Sequence, residues 1–296
     1  MDHRWTHELS GSALPFQQVD VFSAAPFRGN PVAVVFDADG LSIDQMHAIA
    51  RWTNLSETTF VCSPASPQAD YRLRIFTPNS ELRFAGHPSI GSAHALLRHG
   101  LKPNSPGRLV QECGKGLVTL SIDGERLFLA LPEAVLRDIE TALLREIAAA
   151  LGFAADRMRS GALIDVGITW ITLQLADATL VRSLQPDLTR IRALTPRGVA
   201  GLTVFGLESA GTRPEIEVRS FAPAEGVPED PVCGSGNGCV AALIRRERLI
   251  SRQTYTASQG CCVGRDGRVE VRFGEDQTIW LGGHAVTCVE GTLRTS

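Results

Sequence analysis

Four side chains with useful chemistry stand at or beside glycine-rich turns, His87, Asp230, Cys233 and Ser235, and a fifth, Glu57, stands where a helix ends and a strand begins. A carboxylic acid that faces a dry cleft has its pKa raised by burial, which fits it to donate and accept protons near neutrality. Glu57 is the candidate for that role. His87 offers a second proton-handling or hydrogen-bonding group, and Ser235 stands at the corresponding place in the other half of the chain. A thiol at a helix N-terminus has a lowered pKa, so Cys233 is a candidate base or nucleophile. Each residue also has a plainer reading. Glu57 could be a solvated loop carboxylate, His87 a helix-start histidine, Cys233 a buried structural thiol, and Asp230 before Pro231 ordinary turn chemistry.

The elements that must position these groups occur twice. Pro228-Glu-Asp-Pro-Val-Cys-Gly-Ser-Gly-Asn-Gly-Cys239 crowds turn formers together and then gives way to the apolar run Val240–Ile244. Phe84-Ala-Gly-His-Pro-Ser-Ile-Gly-Ser-Ala-His-Ala-Leu-Leu97 repeats the device. Ala85 and Cys233 stand 148 residues apart, half of the 296-residue chain. On that offset Gly86 matches Gly234, His87 matches Ser235, Ala93 matches Ala241 and Leu96 matches Ile244. Upstream, Arg74-Ile-Phe-Thr-Pro78 matches Arg219-Ser-Phe-Ala-Pro223 at an offset of 145. A strand, a turn, a glycine-rich loop and a buried helix therefore recur once per half, the mark of an internal duplication. Two such copies point two helix N-termini, each with unpaired backbone N–H groups suited to an anion, at one cleft.

In chain order, residues 1–14 read as a loose tail. Strands are predicted at 17–22 and 31–36, a helix capped by Ser42 over 42–52, and strands at 58–62 and 71–76. The first central helix is predicted from Ser89 to Arg98, apolar or small on nearly every side and so surrounded by protein. Strands at 109–112, 117–122 and 127–131 follow. Leu131-Pro-Glu133 is the expected crossing between domains, and a helix over 139–151 is stopped by Gly152. Strands return at 170–175, 201–207 and 215–221, then the second loop, a helix over 239–250, and strands at 254–258, 269–273, 278–281 and 285–289. Mostly antiparallel strands with one buried helix per half predict an α+β fold, each sheet curling around its helix.

Composition sets limits. At 296 residues two domains are expected. A net charge of −3 without a basic block disfavours nucleic acid or an anionic membrane as partner. Seven cysteines in no disulfide-scaffold spacing fit a reducing, cytoplasmic setting. Neither a signal peptide nor an apolar run long enough to span a membrane is read. Gly234-Ser-Gly-Asn-Gly238 is not a dinucleotide fingerprint, and no Lys-Ser/Thr pair makes a phosphate loop. Cys at 233, where a hydrolase elbow needs Gly, disfavours that device. Cys261, Cys262, His284 and Cys288 lack a metal-site spacing, because adjacent cysteines alternate across a strand. His94, His99 and His284 are read as structural. No metal and no cofactor is expected.

With these stretches in view, the chain resembles the phenazine-biosynthesis-like (PhzF) family, itself similar in fold to the diaminopimelate epimerases. The resemblance runs from Gln17 to Gly291 and includes Val19-Asp-Val-Phe22 with Gly29-Asn-Pro31, Asn54-Leu-Ser-Glu-Thr58, Ala85-Gly-His-Pro88, Glu229-Asp-Pro-Val-Cys-Gly-Ser235, Ser258-Gln-Gly260 and Gly282-Gly283. It implies two pseudo-symmetric domains, 15–131 and 132–283, each a barrel-like sheet around a central helix. The last strand, 284–296, returns to the first domain, and the site lies in a cleft, often in a homodimer. It further implies Glu57 as general acid/base, with His87, Asp230 and Ser235 holding the substrate or assisting proton movement. Asn30, Gly86, Gly234 and Gly236 are the accompanying substrate-binding positions. The implied reaction is a cofactor-independent isomerisation of a small carboxylated substrate, such as trans-2,3-dihydro-3-hydroxyanthranilate. The epimerases carry cysteine at both symmetric positions, and Ala85 opposite Cys233 disfavours a two-thiol racemase. Two alternatives are an amino-acid epimerase using Cys233 with a second base, and a non-catalytic small-molecule binder.

Overall fold

The computed structural model describes residues 13–295. Of the predicted tail, residues 1–12 lie outside the described residues, and Ala13 and Leu14 already belong to the first strand. The first half runs β1 (Ala13–Val21), β2 (Asn30–Val35), α1 (Ile43–Thr53), β3 (Thr58–Cys62), β4 (Tyr71–Phe76), β5 (Glu81–Leu82), α2 (Gly86–Arg98), β6 (Arg108–Cys113), β7 (Gly116–Asp123) and β8 (Arg126–Ala130). The second half runs β9 (Val135–Arg137), α3 (Thr141–Leu151), β10 (Met158–Asp165), β11 (Thr169–Leu175), α4 (Ala178–Ser183), α5 (Leu188–Leu194) and β12 (Gly201–Leu207). It ends with β13 (Ile216–Ala222), β14 (Val227–Asp230), α6 (Gly234–Glu247), β15 (Thr254–Gln259), β16 (Gly267–Phe273) and β17 (Ile279–Arg294).

Both halves pair their strands by one scheme. In the first, β2 runs parallel to β3 and β4 parallel to β6, the other neighbours being antiparallel. In the second, β11 runs parallel to β12 and β13 parallel to β15, again among antiparallel neighbours. The sheet is mostly antiparallel, as predicted, with these four parallel pairs as the exceptions. Each arises where a helix intervenes between strands, since parallel neighbours need a long crossover.

Two strands lie at the centre of this arrangement. β8 and β17 pair antiparallel, Arg126–Ala130 against Trp280–His284, and each then continues into the opposite half. Beyond Gly283, β17 pairs with β1 from Val21↔Ala285 to Ala13↔Arg294. Beyond Ala130, the chain passes into β9, which pairs with β10. The first ring is thereby closed through β1, β2, β3, β4, β6, β7, β8 and β17. At the crossing, a methyl group added to Gly282 would come 1.9 Å from the Leu127 carbonyl oxygen. Sequence patterning splits β17 at Gly282-Gly283, but glycine there permits close approach rather than ending the strand.

The central helices are longer at their starts than predicted. α2 begins at Gly86, not Ser89, and α6 at Gly234, not 239. Three glycines in the opening turns of α6 cost about 1 kcal/mol each relative to alanine. Burial of Val240, Leu243 and Ile244, at about 1.5–3 kcal/mol apiece, more than offsets that. Tertiary packing therefore draws a glycine-rich stretch that reads as loop into the helix. β10, α4 and α5 escape the sequence reading. β10 opens with Met158-Arg-Ser-Gly161, whose Arg and Ser interrupt any apolar run, and the two helices are short, six and seven residues, capped by Asp177 and Asp187.

Candidate active site

Glu57 stands between α1 and β3 because α1 stops sharply. Asn54 adopts a left-handed conformation at the C-terminus of α1, its N–H bonded to the Ala50 carbonyl. The chain then turns, and the Glu57 carbonyl accepts from Ala33 N–H at 3.4 Å as β3 begins beside β2. The Glu57 side chain is left pointing inward, with 15 % of its surface exposed.

His87 is the second residue of α2, and Ser235 the second of α6. The two helix starts meet: a methyl on Gly234 would lie 3.7 Å from the backbone nitrogen of His87. The first amides of each helix have no intrahelical acceptor, and Pro88 removes one donor from α2. His87 Nε2 lies 3.3 Å from Glu57 Oε2, yet neither atom has a hydrogen-bond partner. Two buried polar atoms facing each other without a bond are the mark of a place for a third group, since leaving them unpaired costs about 1–3 kcal/mol each.

The electrostatics follow from burial. Desolvation, helped by the charge of Asp230, raises Glu57 from 4.5 to about 8. Burial lowers His87 to about 3, against an opposing hydrogen bond to the Pro31 backbone, so the imidazole is neutral at pH 7. Burial raises Asp230 to about 6, restrained by hydrogen bonds from Cys233 and the Val232 N–H. Near neutrality the site therefore holds a protonated Glu57, a neutral His87 and an ionised Asp230. The Glu57–His87 contact is accordingly not an ion pair.

Asp230 is held from several sides. Its Oδ1 accepts from Asn30 Nδ2 at 3.0 Å and from Val232 N–H at 3.0 Å. The preceding residue, Glu229, makes a two-pronged bond to Arg219 at 2.9 and 2.8 Å. Gln259 spans the loop, donating to the Asp230 carbonyl at 3.0 Å while its Oε1 accepts from Cys233 N–H at 3.1 Å and Asn237 Nδ2 at 2.7 Å.

Three expectations change. Cys233 is not a low-pKa thiol: it is 3 % exposed, and burial together with Asp230 raises its pKa well above the usual value. Its sulfur caps α6 by accepting from Gly236 N–H at 3.3 Å. That bond also occupies the Gly236 amide, removing Gly236 as a free donor to substrate, whereas Gly86 and Gly234 open their helices. Asn30 is fully buried; its amide NH2 is shared between Asp230 and the Val232 carbonyl at 3.1 Å, which ties the halves together, and its Oδ1 has no partner. Finally, Cys261 and Cys262 sit on a 3₁₀ turn, not a strand, with sulfurs 3.7 Å apart. Among the described residues they form no group of three or more metal-ligating side chains with His284 and Cys288.

Trp170 was not singled out by sequence. Its indole N–H donates to Ser235 Oγ at 3.0 Å. In strand register Trp170 lies opposite Gly201, and β12 aligns with β3 so that Gly201 occupies the place of Glu57. The second half thus offers an indole–hydroxyl pair where the first offers a carboxylic acid and an imidazole. Glu57 and His87 stand in the first half, while the titratable Asp230 belongs to the second.

Comparison with known proteins agrees with this architecture. The family model described as phenazine biosynthesis-like protein matches residues 19–291. The chain is 43% identical over 291 residues to "Antisense-enhancing sequence 1" of Schizosaccharomyces pombe, covering 93% of this chain and 97% of that protein. It is 35% identical over 285 residues to trans-2,3-dihydro-3-hydroxyanthranilate isomerase of Pseudomonas chlororaphis, covering 93% and 97%. The crystal structure of a Bacillus anthracis phenazine biosynthesis protein of the PhzF family superposes with a TM-score of 0.84 at 24% identity, covering 95% of this chain and 99% of that one. With the model matched over nearly its whole length, this chain belongs to the phenazine biosynthesis-like family.

Proposed function

We propose that the protein is an isomerase that moves a proton on a small carboxylated substrate, with Glu57 as the single acid/base. The observation that carries this reading is Glu57, whose buried, unpartnered Oε2 faces an equally unpartnered His87 Nε2. A pKa of about 8 leaves about one Glu57 in ten ionised at pH 7. That form takes a proton from carbon. The neutral acid, which burial favours, then returns it elsewhere on the same π-system. The substrate carboxylate is held by first-turn amides of α2 and α6, and His87, uncharged, hydrogen-bonds the substrate. Moving a proton within one π-system leaves the oxidation level unchanged, so the step calls for no cofactor.

The substrate class follows the isomerase relative, which is named for trans-2,3-dihydro-3-hydroxyanthranilate. The fission-yeast relative's name states no reaction; the choice of proton transfer over epimerisation rests on the site. An epimerase working through Cys233 is disfavoured because that thiol is capped, buried and hard to ionise. The test is Glu57→Gln assayed on trans-2,3-dihydro-3-hydroxyanthranilate, with circular dichroism as the fold control. Turnover should fall by about 10²–10⁴-fold. Turnover equal to the unsubstituted chain would remove Glu57 as the base.

A further inference from the structure

The 3₁₀ turn Cys261–Val263 lies between Gly260 at φ 105 and Gly264 at φ 73. Neighbouring residues on a strand send their side chains to opposite faces, but this turn brings the Cys261 and Cys262 sulfurs to 3.7 Å on an exposed edge. Both are free thiols. Cys261 S–H donates to Glu217 Oε1 at 3.4 Å, and Cys262 S–H to the Arg182 carbonyl at 3.5 Å. The turn is also joined to the candidate active site. Gln259, two residues before Cys261, holds the Asp230 carbonyl, the Cys233 N–H and the Asn237 amide. Gly260 packs so closely on the same loop that a methyl there would lie 2.7 Å from the Pro231 carbonyl oxygen.

We propose that Cys261 and Cys262 form a vicinal dithiol site that chelates a trivalent organoarsenical, and that its occupancy loosens the loop carrying Asp230. In the capture step two S–H and two As–O bonds break while two As–S bonds form. Each thiol proton leaves with one arsenic-bound hydroxyl as water, and no oxidation state changes. Burial, and then the neighbouring Glu217 charge, push the Cys261 thiol up to about 12, so it stays protonated at neutral pH. That slows chemistry that needs a thiolate but not a condensation in which the proton departs with the leaving hydroxyl. Chelation pulls Cys261 from Glu217 and Cys262 from Arg182, shifting the turn on which Gln259 depends.

The chelation claim is independent of the reaction, whereas its effect on turnover rests on the isomerase reading. Two readouts keep them apart. The full chain treated with phenylarsine oxide should retain one phenylarsenic group in excess glutathione, seen by intact mass, while Cys261→Ser and Cys262→Ser should each release it. Equal retention by either serine variant would overturn the site, because capture would then lie on other thiols. Amide hydrogen exchange across Val232–Gly236 should quicken on capture in the unsubstituted chain and stay unchanged in Cys262→Ser. Exchange that does not respond in the unsubstituted chain would overturn the coupling. Isomerase turnover should fall on capture and be spared in Cys262→Ser; turnover untouched by a fully loaded dithiol would equally refute the coupling.

Discussion

At the scale of single residues, one partly buried acid shifts another. Asp230, ionised above about pH 6, is the second cause of the raised Glu57 pKa, after burial. If the carboxylate form of Glu57 starts the reaction, kcat/KM rises with pH through the Glu57 pKa of the free enzyme. Asp230→Asn removes the charge while its Oδ1 can still accept from Asn30 and Val232. The rising limb should therefore move to lower pH; an unmoved limb would show that Asp230 does not act on Glu57 through charge. The same group sets a stability trend. Glu57 has its folded pKa raised from 4.5 to about 8, so its contribution is whole below about pH 4.5 and is lost as pH rises through about 8. His87, lowered from 6.5 to about 3, acts in reverse: its contribution is present above 6.5 and lost as pH falls through 3. Glu57→Gln cannot ionise, so thermal unfolding at pH 9 should find it more stable relative to the unsubstituted chain than at pH 5, by on the order of a few kcal/mol.

At the scale of elements, the duplication reaches down to individual hydrogen bonds. Gln111 donates to Ser89 at 3.0 Å, and Gln259 accepts from Asn237 at 2.7 Å, residue for residue at the 148 offset. Each bond ties the strand after a central helix to that helix's first turn. Arg74 grips Glu81 as Arg219 grips Glu229, and each arginine lies over a phenylalanine two residues on, at 5.2 and 5.0 Å. Equal framework, unequal chemistry: only Gln259 touches the Asp230 loop. Gln111→Ala and Gln259→Ala should each destabilise by about 1–3 kcal/mol in denaturant unfolding. Only Gln259→Ala should also lower kcat after correction for folded fraction. Equal loss of kcat in both would mean that the two ties serve stability alone.

For the whole molecule, β8 and β17 make the halves interdependent, because each ring is completed by chain that crosses from the other. A defect at the crossing should therefore melt both halves together. Gly282→Ala places a methyl against the Leu127 carbonyl, which should cost about 3 kcal/mol or more. Calorimetry should show one transition moved down as a unit. Two separated transitions would mean that the rings fold independently despite the exchanged strands. Across the described residues no helix is long and apolar enough to cross a membrane.

The sequence by itself determined the duplication, the two central helices, the glycine-rich starts and the set of polar residues around them. Types and spacing repeat at a fixed offset, and buried periodicity is written locally. It did not reveal where those helices begin, that four strand pairs are parallel, or that Trp170 answers Ser235. Those depend on long-range packing, which outweighs the local cost of glycine in a helix. Only the tertiary structure decided the protonation of the site. Glu57 and Cys233 look equally ready for chemistry in the chain, yet burial raises both pKa values. It lifts the acid toward neutrality and takes the thiol out of reach.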